Sequence, residues 1–299
     1  MGLVEGRVCV VTGAGRGIGR EYALMLAAEG GRVVVNDLGG ARDGVGADPG
    51  PADHVVAEIT AAGGTAVANG DDVSSFAGAE RLIAQAVETY GRLDVLVNNA
   101  GILRDRMLTN MTEEEWDSVI AVHLKGTFGP SHFAARHWRE RAKAGERNDA
   151  RIINTTSVSG IYGNPGQTNY GTAKAGIASF SFIASLELER YGVTVNAIAP
   201  AALTRMTEDL GMGQAEGAAD AMSPRWIAPI VCWLASPESA HVTGRVFEAS
   251  GAVLAVAEGW HRGPSVRPVD DPHAIGELVE HLLERARRPA DMHGQDRHR

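Results

Sequence analysis

The sequence alternates, and the alternation leaves few folds open. Seven short runs rich in β-branched residues, at 7–12, 32–37, 65–69, 93–98, 151–156, 193–198 and 245–248, are separated by longer stretches of helical pattern. Those stretches cover 17–28, 52–62, 76–90, 113–137, 170–191 and 224–234. An apolar run without polar alternation fits a strand covered on both faces, and a helix after each strand supplies the cover. Crossovers between parallel strands are right-handed, so the expected class is α/β, a doubly wound parallel sheet of about seven strands with helices on both sides. No internal repeat is visible, and the rhythm holds to about residue 250. One domain is therefore expected over 1–259, followed by a C-terminal helical tail over 260–299. In that tail Asp271-Pro272 reads as the N-cap and first position of a helix to about residue 288, with Leu278, Leu282 and Leu283 as an apolar stripe that should pack on something.

Charge and composition exclude several partners. With 37 acidic and 28 basic residues the chain carries −9, which lacks the basic excess that a nucleic-acid backbone requires. No apolar stretch approaches the length of a membrane span, the N-terminus has no basic leader, and Arg297-His298-Arg299 is not a peroxisomal Ser-Lys-Leu signal. A soluble cytoplasmic protein with no membrane partner is expected. The two cysteines, Cys9 and Cys232, lie in apolar runs and read as buried hydrophobes, so neither a disulfide framework nor a metal site is expected. The 37 glycines are not periodic, so they should occupy special backbone positions.

One such position follows the first run. Gly13-Ala14-Gly15-Arg16-Gly17-Ile18-Gly19 opens a helical stretch, and glycines there permit a tight turn and a close approach of backbone to a pyrophosphate. Three glycines in a loop often mark only a turn, but a strand before and a helix after form the context that nucleotide binding needs. Asp37 ends the second run, eighteen residues beyond Gly19, where a carboxylate can accept from an adenosine ribose hydroxyl and repel a 2′-phosphate. That favours NAD over NADP; the alternative is a strand-end Asp facing water. Arg16 pulls the other way, since a cation in the loop suits a 2′-phosphate. The Gly-, Asp- and Pro-rich stretch 38–51 follows as a long loop beside this position.

Tyr170 and Lys174 stand four apart in a helical pattern and share a face. A phenol titrates near 10, so acid/base work near neutrality needs its pKa lowered by about 3 units, and an ammonium beside it acts in that direction. Alone, the pair reads as an exposed helix pair. Ser157 follows the fifth run, at the carboxyl edge of the sheet where ligands bind in this architecture.

Taken together, the glycine loop, Asn98-Asn99-Ala100-Gly101, Ser157 and Tyr170-Gly171-Thr172-Ala173-Lys174 resemble the short-chain dehydrogenase/reductase family over about residues 4–257. The resemblance implies a Rossmann-like fold in which Tyr170 exchanges a proton with an alcohol or ketone, Ser157 hydrogen-bonds the same oxygen, and Lys174 binds the nicotinamide ribose. It assigns cofactor contacts to Gly13, Arg16, Gly17, Ile18, Gly19, Asp37, Asp72, Val73, Asn99, Ala100, Gly101, Tyr170, Lys174, Pro200 and Leu203. Two positions depart from the family. His123 stands where many members carry a relay Asn, and is read as a supporting catalytic imidazole or as a residue packed on the sheet. Pro200-Ala201 replaces the usual Pro-Gly.

Segments 36–40, 101–106, 159–164 and 205–207 are also similar to the (3R)-hydroxyacyl-CoA dehydrogenase part of peroxisomal multifunctional enzymes. That likeness implies an acyl thioester substrate. An NADPH-dependent 3-oxoacyl carrier-protein reductase, a 17β-hydroxysteroid dehydrogenase and a non-catalytic NAD-binding regulator are the alternatives. Arg104 and Arg106 read as contacts for the phosphates or the pantetheine amides of CoA, or equally as part of a solvated loop or a subunit contact. The stretches 113–137 and 170–191 resemble the family's dimer-forming pair, so a homodimer or homotetramer is expected.

Overall fold

The computed structural model describes residues 2–41, 43–44, 46, 48, 50–202 and 218–297. Strands and helices alternate through β1 (Val8–Thr12), α1 (Gly17–Ala28), β2 (Arg32–Asn36), α2 (Gly50–Ala61), β3 (Thr65–Asn69), α3 (Phe76–Tyr90) and β4 (Val95–Asn98). They continue through α4 (Glu113–Ile120), α5 (Gly126–Lys143), β5 (Ala150–Thr155), α6 (Val158–Tyr162), α7 (Thr168–Leu188) and β6 (Val193–Pro200). After them come α8 (Ala218–Ala221), α9 (Ala228–Ala235), β7 (Val246–Ala249), β8 (Leu254–Ala257) and α10 (Ile275–Arg285). The sheet runs β3-β2-β1-β4-β5-β6-β7-β8, and the first seven strands are parallel. The chain leaves β1 in one direction for β2 and β3 and returns to its other side as β4, which opens a crevice at their carboxyl ends.

Strand periodicity divides the core into two layers. Cys9 and Val11 face one way, toward Leu26 of α1, Val55 of α2 and Val231 of α9. Val8 and Val10 face the other, toward Leu82 of α3 and Trp138 of α5. Both faces of the sheet are thus covered, as the unalternating apolar runs require.

The sheet is of the expected doubly wound class and carries an eighth strand: Ser250 turns the chain, accepting the Ala252 and Val253 N–H groups on its hydroxyl, and β8 returns antiparallel on β7. Its Leu254 and Val256 are exposed, so one face of this edge strand lacks the burial that made the other runs legible. Two expectations need correction. The stretch 113–137 is not one helix. α4 begins in a capping box between Thr112 and Glu115, and a π turn, Ala121–Lys125, then inserts before α5 carries on to Lys143. In the tail Asp271 accepts from the His273 N–H, but the helix starts at Ile275, and none of its residues is buried.

The register of β4 on β5 sets Asn98 opposite Asn154. Asn98 Nδ2 donates to Asn154 Oδ1 (2.8 Å) and to Ser131 of α5 (2.9 Å), and Asn154 Nδ2 donates to Ser181 of α7 (2.9 Å). This buried row fastens both helices to the middle of the sheet. Asn154→Leu strands polar groups on both sides of it and should destabilise the fold by about 1–3 kcal/mol in urea unfolding. An unchanged midpoint would mean that the row contributes nothing to stability.

Candidate active site

The glycine loop turns sharply because only glycine fits. Gly13 has φ +61°, and a Cβ on it would stand 2.8 Å from the Ala100 Cα. A Cβ on Gly19 would stand 2.2 Å from the Gly13 carbonyl oxygen. No side chain caps the start of α1, so its first N–H groups remain available to an anion. Thr12 ties the loop to β4, its hydroxyl accepting the N–H groups of Asn99 (2.9 Å) and Ala100 (3.1 Å). Asn99 Nδ2 donates back to the Thr12 and Gly13 carbonyls. The resulting cleft, of about 220 Å³, gathers Gly13, Arg16, Gly17, Ile18, Gly19, Asp37, Asp72, Val73, Asn99, Ala100 and Gly101. Asp37 accepts from the Gly15 N–H (2.8 Å) and the Gly39 N–H (2.7 Å), which fixes its carboxylate against the loop. Pro200 closes β6 at the carboxyl edge of the sheet. Leu203 lies outside the described residues.

The second group of residues meets beyond β5. Ser157 N-caps α6, accepting the Ser159 N–H at 3.1 Å, and its side chain lies near enough to the Tyr170 phenol to pull its pKa down. Lys174 is buried, with Nζ donating to the Thr155 carbonyl at 2.6 Å and standing 5.6 Å from the Tyr170 ring centre. Thr156 holds the same turn of α7 through its hydroxyl to the Lys174 carbonyl (2.6 Å). Burial pushes Tyr170 up to about 12, against the pull of Ser157, and pushes Lys174 down to about 7. The protein alone therefore raises the phenol, opposite to the lowering that acid/base work needs.

His123 comes to this place through the π turn. The ring is buried edge-on against Tyr170, with centroids 5.1 Å apart, and its Cε1 takes the space that a Cβ on Gly101 would enter. Nε2 lies 2.7 Å from the Ile102 carbonyl and 3.1 Å from the Ile102 N–H, while Nδ1 has no partner. The shorter contact fits an Nε2–H donating to the carbonyl. Burial, aided by the Lys174 charge, pushes the imidazole down to about 3. It is neutral at physiological pH, joining the loop after β4 to the helix that faces Tyr170.

Residues missed in the sequence complete the arrangement. Asn169 is fully buried and donates to the carbonyls of Arg104 and Glu115 (both 2.9 Å), while its Oδ1 accepts the Tyr170 N–H (2.7 Å). Gln167 donates to Asp105 at 2.7 Å. Both fasten the start of α7 to the loop after β4. Their only local signal is position beside Tyr170, because their partners lie more than fifty residues away in sequence. Arg104 pairs with Glu114 and Arg106 with Glu115, each at 2.9 Å, so their charges are already met within the protein.

Comparison with known proteins accords with this geometry. A family model described as short chain dehydrogenase matches residues 7–214. A hydroxyacyl-CoA dehydrogenase of Mycobacterium tuberculosis is 45% identical over 280 residues, covering 90% of this chain and 81% of that protein. The peroxisomal multifunctional enzyme type 2 of Mus musculus is 43% identical over 270 residues, covering 90% of this chain and 35% of that enzyme. The crystal structure of a short chain dehydrogenase from Mycobacterium avium superposes with a TM-score of 0.88 at 52% identity, over 97% of this chain and 99% of that one.

Neutral His123 binds protons less readily folded than unfolded. As pH falls from about 6.5 toward about 3, the unfolded chain takes up a proton that the folded protein refuses, so stability drops across that window. His123→Leu should lower stability at pH 7 by about 1–3 kcal/mol, through the unpaired Ile102 carbonyl, while losing less on going to pH 4.5 than the parent does. His123→Asn, which can still bond Ile102, should restore most of the stability at pH 7. Urea midpoints at the two pH values measure both effects; parallel losses in all three proteins would remove His123 from the account.

Proposed function

The chain belongs to the short-chain dehydrogenase family, enzymes that act on CH–OH groups with NAD(P), and we propose that this one oxidises (3R)-hydroxyacyl-CoA with NAD. The observation that carries the reading is the meeting of Ser157, Tyr170 and Lys174 at the carboxyl edge of β5, beside a glycine-walled cleft that ends at a carboxylate. The hydroxyacyl-CoA dehydrogenase of Mycobacterium tuberculosis supports the substrate class.

The cleft fits a dinucleotide. Glycines stand where a Cβ would fill the cradle, the start of α1 is uncapped, and Asp37 occupies the place of a ribose partner. Gly13 to Gly19 would hold the pyrophosphate, Asp37 and Asp72-Val73 the adenosine end, and Asn99 to Gly101 with Lys174 and Pro200 the nicotinamide end. When bound, the cofactor supplies the hydride acceptor and, in its oxidised form, a positive charge. Tyr170, as the phenolate whose charge the Lys174 ammonium offsets, takes the proton of the substrate hydroxyl, and Ser157 holds that oxygen. His123 and Asn169 keep the ring of Tyr170 and the start of its helix in place. His123 thereby acts as a neutral positioning residue in place of a proton relay.

Asp37 supports NAD, because a carboxylate fixed by two backbone N–H groups repels a 2′-phosphate. Exposed Phe128 on α5 and Phe182, Ile183 and Leu186 on α7 support a homodimer through those helices.

Chirality follows from fixed positions: an enantiomer that sets its hydroxyl on Tyr170 in the wrong sense turns its carbinol hydrogen away from the acceptor, and a 1 Å displacement can cost about 10²-fold. Nicotinamide absorbance should report faster turnover of a (3R)-hydroxyacyl-CoA than of its (3S) isomer or a 17β-hydroxysteroid. Tyr170→Phe should lower that rate by about 10²- to 10⁴-fold while retaining NAD affinity. Preference for the (3S) isomer or the steroid would overturn the substrate; near-normal turnover by the Phe variant would overturn the role of Tyr170.

Asp37→Ala should erode the preference for NAD over NADP by about 10-fold or more, a hydrogen bond to a charged group being worth about 1.5–3 kcal/mol. The check is the ratio of kcat/KM for the two cofactors. Equal use of both by the unaltered protein would hand the selection to Arg16.

A further inference from the structure

The segment after α10 turns back onto the body of the protein. Ala290 and Asp296 pair as an antiparallel bridge, Arg297 N–H donates to the Pro289 carbonyl (3.0 Å), and the Asp291 carboxylate accepts from His293 (2.8 Å) and Gln295 (3.0 Å). This small hairpin lands on Tyr162. Arg297 donates from one guanidinium to the carbonyls of Tyr162 (2.5 Å) and Ala290 (2.9 Å). Gly294 lies so close to the Tyr162 ring that a Cβ on it would stand 3.2 Å from the hydroxyl. Tyr162 passes the contact inward, donating its hydroxyl to Glu248 of β7. Tyr162 also ends the helix that Ser157 caps, so about 8 Å of helix, at 1.5 Å per residue, separates the hairpin from a site residue.

Basic charge on the loop after β4 is met within the protein, Arg104 and Arg106 being bound to Glu114 and Glu115. The last fifteen residues carry five arginines against Asp291 and Asp296, a net +3 in a chain of net −9. Arg287 meets Asp296 through Nε at 3.2 Å, is 75% exposed, and lies close enough to Tyr162 for its charge to act on the phenol. Arg288 is exposed and makes no ion pair among the described residues. A guanidinium binds phosphate through a two-pronged fork, so the exposed arginines of the hairpin suit an anion.

We propose that the C-terminal hairpin is part of the substrate site, latched by Arg297 on Tyr162, with Arg287 and Arg288 receiving the phosphates of an acyl-CoA. The inference rests on the hydroxyacyl-CoA reading and locates the nucleotide end of that substrate, away from Arg104 and Arg106.

The probe is coenzyme A itself, titrated calorimetrically into the unaltered protein and into a variant carrying Arg287→Glu and Arg288→Glu. The variant should bind CoA about tenfold or more weakly, with the difference shrinking as salt is raised, and should keep the urea midpoint and NAD affinity of the parent. For a matched pair of hydroxyacyl substrates, one a CoA thioester and one an N-acetylcysteamine thioester without phosphates, the ratio of their kcat/KM values should fall by a similar factor. Absence of CoA binding by the unaltered protein, equal binding by both proteins, or an equal fall in both kcat/KM values overturns the proposal. If CoA binds as expected but the unaltered protein oxidises no hydroxyacyl-CoA, the hairpin site stands and the substrate reading fails.

Discussion

The hydrogen bond between Asn98 and Asn154 is the point from which the rest of the site is measured. It holds β4 and β5 flush at their carboxyl ends, so the loop beginning at Asn99 and the turn beginning at Thr156 leave the sheet at the same height. The same two amides reach outward to Ser131 and Ser181, which fixes α5 and α7 on the face where His123 and Tyr170 meet. A polar pair in an apolar sheet is costly unless nearly every donor and acceptor is matched, and an unmatched register would leave several buried amide groups unpaired. The row therefore selects one register, and the cofactor cleft and the Ser157–Tyr170 contact inherit their relative placement from it.

What the sequence disclosed was local. Glycines at 13 and 19 declare a tight turn because a side chain has no room there, and the four-residue spacing of Tyr170 and Lys174 declares a shared helix face. Each is an inference about neighbours along the chain, which periodicity and sterics govern. The doubly wound class follows for the same reason, since each strand is followed at once by a helix that must cover it. β8 escaped because an edge strand with Leu254 and Val256 exposed carries no burial signature. The π turn escaped because one extra residue in a helix leaves its composition unchanged while rotating everything beyond it.

Pairings across the chain were the illegible part. Nothing local to Arg104 announces Glu114, and nothing local to Asn169 announces two carbonyls on other segments. Arg104 and Arg106, read from the sequence as contacts for CoA or as a solvated loop or subunit contact, pair with the carboxylates at the start of α4. Asn169 instead gained a role. A buried amide with every hydrogen bond made holds the Tyr170 backbone more rigidly than apolar packing, because each bond has a preferred direction.

The three titratable groups around the reacting position are each driven by burial toward their neutral forms, and the choice of residue at each one determines what that drive achieves. At His123 it removes the proton for the whole working range, which suits an imidazole that only joins Ile102 to the helix. At Tyr170 it retains the proton, so the phenol gives it up only when positive charge is brought near. At 174 the residue must be a cation that can be desolvated without losing its response to surroundings. An arginine would stay charged wherever it was buried and would need several acceptors for its fork, whereas the chain offers a single carbonyl, that of Thr155. Lysine meets that carbonyl with one N–H and is brought down to about 7, where modest changes in local potential alter its charge. The ammonium beside the tyrosine is therefore adjustable rather than fixed, and its state is coupled to whatever occupies the cleft between Lys174 and the glycine loop.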